Sequence, residues 1–206
     1  MDIQILELID GAKKATGLTV IIDVFRAMTV EAYLLHNGVE QLMPIGSIDA
    51  AYKYKKAHPE KLKTLCKQAQ ILLPNVTEAC LLTDIPYQET ADQSYYESLI
   101  HRLFAFGVNS VMLTGVSLSK GQTGFLYASK NAGVKAYQAP QITGHFHGTG
   151  DLFSAVFTGG LLSGLSGYDS GVLAARFVER VLQATKTPAP FGVNFETQLP
   201  WLWEQL

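Results

Sequence analysis

A chain of 206 residues, 48% hydrophobic and 17% charged, is long enough to bury a real core, and at roughly 150 residues per domain it makes one domain or two small ones. Its 16 basic and 18 acidic residues are spread along the chain to a formal net charge of −2, so it lacks the electrostatic footprint that nucleic-acid binding needs. No apolar stretch reaches the roughly 18 residues needed to span a bilayer, and MDIQILELIDGAKK is too acidic, with too short an apolar run, for a signal peptide, which makes the cytoplasm the expected compartment.

Residues 18–24, LTVIIDV, form a continuous β-branched run ending on a charge, the pattern of a strand buried on both faces of a parallel sheet. Phe25 to Asn37 reads as a helix that Gly38 stops, residues 41–45 as a second strand, and Ser47 as the N-cap of a helix running to about Pro59. A lysine-rich stretch from Lys53 to Lys67 separates this βαβα unit from ILLPNVTEACLL, where a three-residue strand meets Pro74 and a helix begins near Thr77. The pattern then predicts a helix over about 93–107, a strand over 110–116 and a hairpin with strands near 123–129 and 134–139 around Lys130–Gly133. Helices follow over about 150–164 and 168–186, and the tail GVNFETQLPWLWEQL, with two tryptophans, is expected to fold back onto the body. Alternating strands and helices indicate a layered αβα fold of the α/β class, with a mostly parallel central sheet and the active turn at the carboxyl edge of the strands. Cys66 and Cys80 lack metal-type spacing and read as reduced, buried thiols.

In QITGHFHGTGDLFSAVFTGGLLSG a glycine-rich turn immediately precedes an apolar helix, so backbone N–H groups converge at the positive end of that helix. Gly148, Thr149 and Gly150 therefore read as an anion-binding turn of the kind phosphoryl transfer needs, because the moving group spreads its charge over several oxygens. Asp151, in the first turn, is placed to accept a proton from a substrate hydroxyl whose oxygen attacks the terminal phosphate of a nucleotide. Judged on the tetrapeptide alone, Thr149 or Asp151 serves equally well as an N-cap on a tight turn. His145 and His147 flank it without metal-ligand spacing and read as packing or turn residues.

The motifs LLPNVTEACLLTDIPY, VMLTGVS, GHFHGTGDLFSAVFTGGLL and GVNFETQLPWL occur in the order and at the spacing of the pyridoxamine and pyridoxal kinases. From Ile71 to the C-terminus the chain resembles the C-terminal half of those ribokinase-type enzymes. The resemblance implies ATP as phosphoryl donor, Mg²⁺ as charge neutraliser and a vitamin B6 alcohol as acceptor. It makes Asp151 the base, and Gly148, Thr149 and Gly150 the phosphate-binding turn. Asn75 and Glu78 match the polar pair of the PN-x-x-E motif near the metal and phosphates, with Glu78 as the metal ligand. Thr114 and Gly115 match the strand end that borders the nucleotide, and Val193 and Asn194, after Gly192, lie beside the adenine. Taken as residues alone, Glu78 is equally a solvated helix residue, Thr114 a strand terminus and Asn194 a turn former. Complete kinases of this type are commonly dimers, so a homodimer is one assembly the resemblance implies.

Ahead of PN-x-x-E such kinases carry strands that build the vitamin pocket and a D-P-V-x-G-D strand-end motif, neither of which is found in this sequence. Residues 1–60, with IDVFRA as the clearest piece, resemble instead the opening βαβα of the phosphosulfolactate phosphatase family. That likeness implies Asp23 as a carboxylate for Mg²⁺ and Arg26 as a guanidinium for phosphate, whereas as residues alone they cap a strand and pair locally. The later phosphatase motifs do not follow. The chain thus reads as two half-enzymes, a βαβα unit over 1–65 and a kinase-like unit over 66–206, expected to pack as one domain. Three functions compete: an ATP-dependent vitamin B6 kinase weakened by the loss of its N-terminal half, a nucleotide-binding pseudoenzyme or recombined fragment without turnover, and a Mg²⁺-dependent phosphosulfolactate phosphatase. The kinase ranks first because its half of the chain holds the catalytic base, while the phosphatase-like half stops before its phosphate loop.

Overall fold

The computed structural model describes residues 66–67, 69–130, 132–144, 146–185 and 192–206. The chain divides at Ile45–Gly46, and every described residue belongs to the second unit. The βαβα unit expected over residues 18–59, Asp23 and Arg26 with it, lies outside the described residues, as does His145.

The elements run β1 (Ile71–Leu72), α1 (Val76–Thr83), α2 (Gln93–Phe104), β2 (Ser110–Val116), β3 (Gln122–Ser129), β4 (Gly133–Pro140), α3 (Thr149–Leu162), α4 (Gly167–Ala184), a 3-10 turn (Glu196–Gln198) and α5 (Leu199–Trp203). The strands form one sheet in the order β1-β2-β3-β4. β1 is parallel to β2, and the expected hairpin adds β3 and β4 antiparallel, closing at the pair Ser129 and Gly133. Among the described strands the sheet is therefore mixed, because a hairpin occupies the β4 side.

Successive side chains of a strand point to opposite faces, and here each face has its own core. Val111, Leu113, Leu126 and Ala128 pack with Ala79 of α1 and with Leu99 and Leu103 of α2. On the other face Met112 and Phe125 meet Val156 and Phe157 of α3 and Leu173, Phe177 and Val181 of α4. Each of these side chains other than the alanines, when fully buried, contributes roughly 1.5–3 kcal/mol of hydrophobic stabilisation. This is the αβα layering that alternating elements predict. Among the described residues no helix is long and apolar enough to cross a membrane.

Helix ends have local causes. α2 stops at Phe104, short of the expected 107, because Ala105, Phe106 and Gly107 tighten into bonds to the residue three back, and Gly107 then turns to φ 94°. α3 ends in a Schellman motif: Gly164, at φ 91°, donates to Leu161 O, and Leu165 donates to Gly160 O, both at 3.0 Å. The tail folds back as expected, with Trp201 stacked on Phe177 at 6.3 Å and the Arg180 guanidinium 4.9 Å above its ring. Cys66 and Cys80 are buried free thiols, and Cys80 Sγ lies 3.0 Å from the Tyr95 hydroxyl.

Two consequences are measurable. α4 approaches the sheet closely at Gly171, where a Cβ would stand 2.5 Å from Met112 Cε and 2.8 Å from Phe125 Cζ. Gly171→Ala is therefore expected to lower stability by about 1–3 kcal/mol in urea titrations, despite the better helix propensity of alanine. Burial first, and then the hydrogen bond with Cys80, push the Tyr95 phenol up to about 12. The folded state thus keeps a proton that the unfolded chain releases near about pH 10. Its contribution is fully present below that pH and is lost as the pH rises toward 12, so Tyr95→Phe should show a shallower alkaline loss of stability than the unmodified protein.

Candidate active site

The parallel ladder between β1 and β2 does not stop at Leu72. Pro74 has no N–H to give, but its carbonyl accepts from Thr114 N at 3.0 Å, and Asn75 then bridges to Thr114. Two residues 39 positions apart are thereby neighbours at the carboxyl edge of the sheet. Asn75 also starts α1. Its Oδ1 accepts from Glu78 N at 2.8 Å, and Glu78 Oε2 accepts from Asn75 N at 2.9 Å, a reciprocal capping box. The PN-x-x-E motif is therefore a strand end and a helix start at once, and the box leaves Glu78 Oε1 over. Just beyond Thr114 the β2–β3 register shifts at Gly115, whose φ of 73° suits glycine and bends the strand end away from the regular ladder.

α3 begins at Thr149, with Gly148 as its N-cap at φ 88° and no side chain capping the turn. Neither Thr149 nor Asp151 is the N-cap, so the plain capping alternative for either residue does not hold. The backbone amides of Thr149 and Gly150 stand without a side-chain cap at the positive end of a 14-residue helix. Asp151 is exposed in that first turn. The later loop runs alongside, since a Cβ on Gly192 would be 3.4 Å from His147 O.

One cavity of about 610 Å³ gathers Asn75, Glu78, Thr114, Gly115, Thr149, Gly150 and Asp151, a size within the usual range for small-molecule sites. Gly148 adjoins it as the cap of α3, whereas Val193 and Asn194 are not among its lining residues. Val193 packs into the core beneath α4, and Asn194 N donates to Thr185 Oγ1 at 3.0 Å. The opposite wall is aromatic and aliphatic: Tyr137 stacks on Phe125 at 5.4 Å, Phe153 meets Phe125 edge-on at 6.1 Å, and Val178 and Leu182 of α4 complete it. Burial raises the Tyr137 phenol, the negative charge of Glu179 adds to the rise, and Arg176 opposes it. Glu78, Asp151 and Glu179 line the cavity, and among the described lining residues there is no lysine or arginine. No group of three or more His, Cys, Asp or Glu side chains converges as a metal cage among the described residues.

Tyr137 and Glu179 were not among the residues the motifs pointed to. Tyr137 had one available signal, its place on the same face as Phe125 across the predicted hairpin. Glu179 had none, being one charge in an amphipathic helix.

The sequence model of phosphomethylpyrimidine kinases matches residues 49–193. The chain belongs to the phosphomethylpyrimidine kinase family. The model of 2-phosphosulpholactate phosphatases matches residues 3–67, so the family match and this second likeness overlap over residues 49–67. No curated protein matches the chain. Among solved structures, a Bacteroides thetaiotaomicron protein assigned as a phosphomethylpyrimidine kinase is 25% identical, with a TM-score of 0.66 over 69% of this chain and 51% of its own. The pyridoxal kinase of Lactobacillus plantarum is 29% identical, with a TM-score of 0.63 over 71% of this chain and 53% of its own. The pyridoxal kinase of Staphylococcus aureus, solved with AMP-PCP, shares the fold at 20% identity, with a TM-score of 0.60 over 68% of this chain and 52% of its own. The fold of this family member is thus the ribokinase-like α/β fold, and the chain spans about half the length of these three kinases.

The capping box gives a direct check. Asn75→Ala removes one of its two bonds and is expected to cost about 0.5–2 kcal/mol, with faster hydrogen exchange at the Glu78 amide and little change in α4.

Proposed function

We propose that this chain is an ATP-dependent kinase for the hydroxymethyl group of a vitamin B6 compound, pyridoxal or pyridoxamine, with Asp151 as general base. The observation that carries the reading is the convergence on one cavity of Asp151, the uncapped first turn of α3 and the paired strand ends at Asn75 and Thr114. Family membership supports phosphoryl transfer. The Bacteroides relative has also been solved with pyridoxal, which supports the acceptor class, and the AMP-PCP complex of the S. aureus kinase supports ATP.

In this reading the acceptor hydroxyl gives its proton to the Asp151 carboxylate as its oxygen bonds to the γ-phosphorus. The bond from that phosphorus to the β–γ bridging oxygen breaks, and ADP leaves. Orienting the hydroxyl matters more than early deprotonation in so loose a transition state. The amides of Thr149 and Gly150, with Gly148 setting the turn, hold the charge that gathers on the phosphoryl oxygens. Asn75, Thr114 and Gly115 border the nucleotide. A magnesium ion fits the donor set, because Glu78 keeps a hard oxygen outside its capping bond and the described lining has no lysine or arginine to offset a triphosphate. When bound, that ion supplies the charge neutralisation the carboxylate-lined wall lacks. Residues 66–206 carry the transfer chemistry.

A second reading, nucleotide binding without turnover, is favoured by the likeness of residues 3–67 to 2-phosphosulpholactate phosphatases, since they stand where such kinases carry the strands of the vitamin pocket. One experiment separates the two. Asp151→Ala is expected to lower pyridoxal- or pyridoxamine-dependent ATP consumption by about 100-fold or more, while the ATP-induced rise in melting temperature persists. Thermal stabilisation by ATP in the unmodified protein, with no phosphorylated vitamin formed, would establish the binding-only reading instead.

A further inference from the structure

Gln138 lies on β4 directly opposite Gly124 of β3. Its side chain does not stop at that neighbour. Nε2 donates to Val116 O at 3.1 Å and to Tyr137 O at 2.9 Å, while Oε1 accepts from Leu118 N at 2.9 Å. The amide has thus crossed β3 to reach β2 and the loop that follows it. Gly124 makes the crossing possible: a Cβ there would stand 2.7 Å from Gln138 Nε2 and collide with the Tyr137 carbonyl oxygen.

The place it reaches is the far side of the β2 bulge. The β2–β3 register runs regularly to the pair Thr114 and Phe125, shifts at Gly115, and resumes only at Val116 and Gly124. Gly115 itself, at φ 73°, has no ladder partner in that register to fix it. Gln138 holds the chain immediately after it at two main-chain atoms. Thr114 and Gly115 are also where β2 borders the cavity.

We propose that Gln138 is a positioning residue for the nucleotide: by clamping Val116 and Leu118 across the gap at Gly124, it sets the Gly115 bulge and with it the cavity edge formed by Thr114 and Gly115. This rests on reading the cavity as a nucleotide site. A glutamine is required because the clamp needs one acceptor and two donors on one planar group, which neither an ionised glutamate nor an apolar side chain offers. Without it, Leu118 N and Val116 O lose their partners, and the bulge is free to relax by the fraction of an ångström that binding geometry does not tolerate.

The test measures Mg²⁺–ATP and Mg²⁺–tripolyphosphate binding by calorimetry to the full chain, to Gln138→Ala and to Gln138→Glu, with hydrogen exchange over residues 114–121. Tripolyphosphate reports on the α3 turn and on magnesium at Glu78, without the nucleoside. Gln138→Ala should weaken ATP binding by about 10-fold or more, keep tripolyphosphate binding within about twofold of the unmodified protein, and speed exchange at the Leu118 amide. Gln138→Glu is nearly isosteric. Protonated, it still accepts from Leu118 N and donates to Val116 O; ionised, it sets a charge against carbonyl oxygens. Its ATP affinity relative to the unmodified protein should therefore recover as the pH falls from 8 toward 5, with no such recovery for Gln138→Ala. A purely structural role would give equal losses for both ligands, and that result overturns the proposal, as does unchanged exchange at Leu118. If ATP binds the unmodified protein and Gln138→Ala alike, the proposal fails and the nucleotide reading stands. If the unmodified protein binds no ATP, both fall.

Discussion

The parallel pairing of β1 with β2 is the contact on which the site depends. β1 has two residues, Ile71 and Leu72, yet its register is strongly determined because Leu72 packs into one core while Ile71 and Leu73 pack into the other. A slip of one residue would exchange those faces and bury the wrong side chains. Holding this register carries the ladder past Pro74 and delivers Asn75 to Thr114. Since Asn75 is also the cap of α1, the same register aims that helix and its Glu78 at the cavity.

The second requirement is electrostatic. Three carboxylates line the cavity, and its described lining contains no basic side chain. What the site offers an anion is backbone: the uncapped start of α3 and the strand ends, whose polarity comes from aligned peptide groups rather than from lysine or arginine. A helix end of this kind is rigid because its direction is set by packing along its whole length. α3 is held by Val156 and Phe157 against the sheet, and by the close approach of Gly160 to Ser170 of α4, where a Cβ would meet Ser170 Oγ at 2.9 Å. The core beneath α3 and α4 thereby fixes the direction of that helix end.

Much of this was legible in the sequence. The strand at 110–116, the hairpin and the helices α1 to α4 match the sequence reading to within a few residues, because each rests on local signals: β-branched runs, an N-cap, a glycine where the chain must turn left-handed. The motif residues Asn75, Glu78, Thr114, Gly115, Thr149, Gly150 and Asp151 are likewise legible from the sequence, and one cavity is lined by them all. The boundaries that moved, such as the end of α2 at Phe104, were decided by a tightened last turn that composition does not display.

The sequence by itself determined the family and the residues of the candidate site: a glycine turn, a carboxylate one residue beyond it, and a family likeness covering most of its length. Those are properties of residue type and short-range order, which survive without knowledge of the fold. Only the tertiary structure decided what Gln138 touches, that Gly124 opens its path, and that Tyr137 and Glu179 face the same cavity as Asp151. These depend on register and on helix rotation against the sheet, where a shift of one residue or one third of a turn would send each side chain elsewhere.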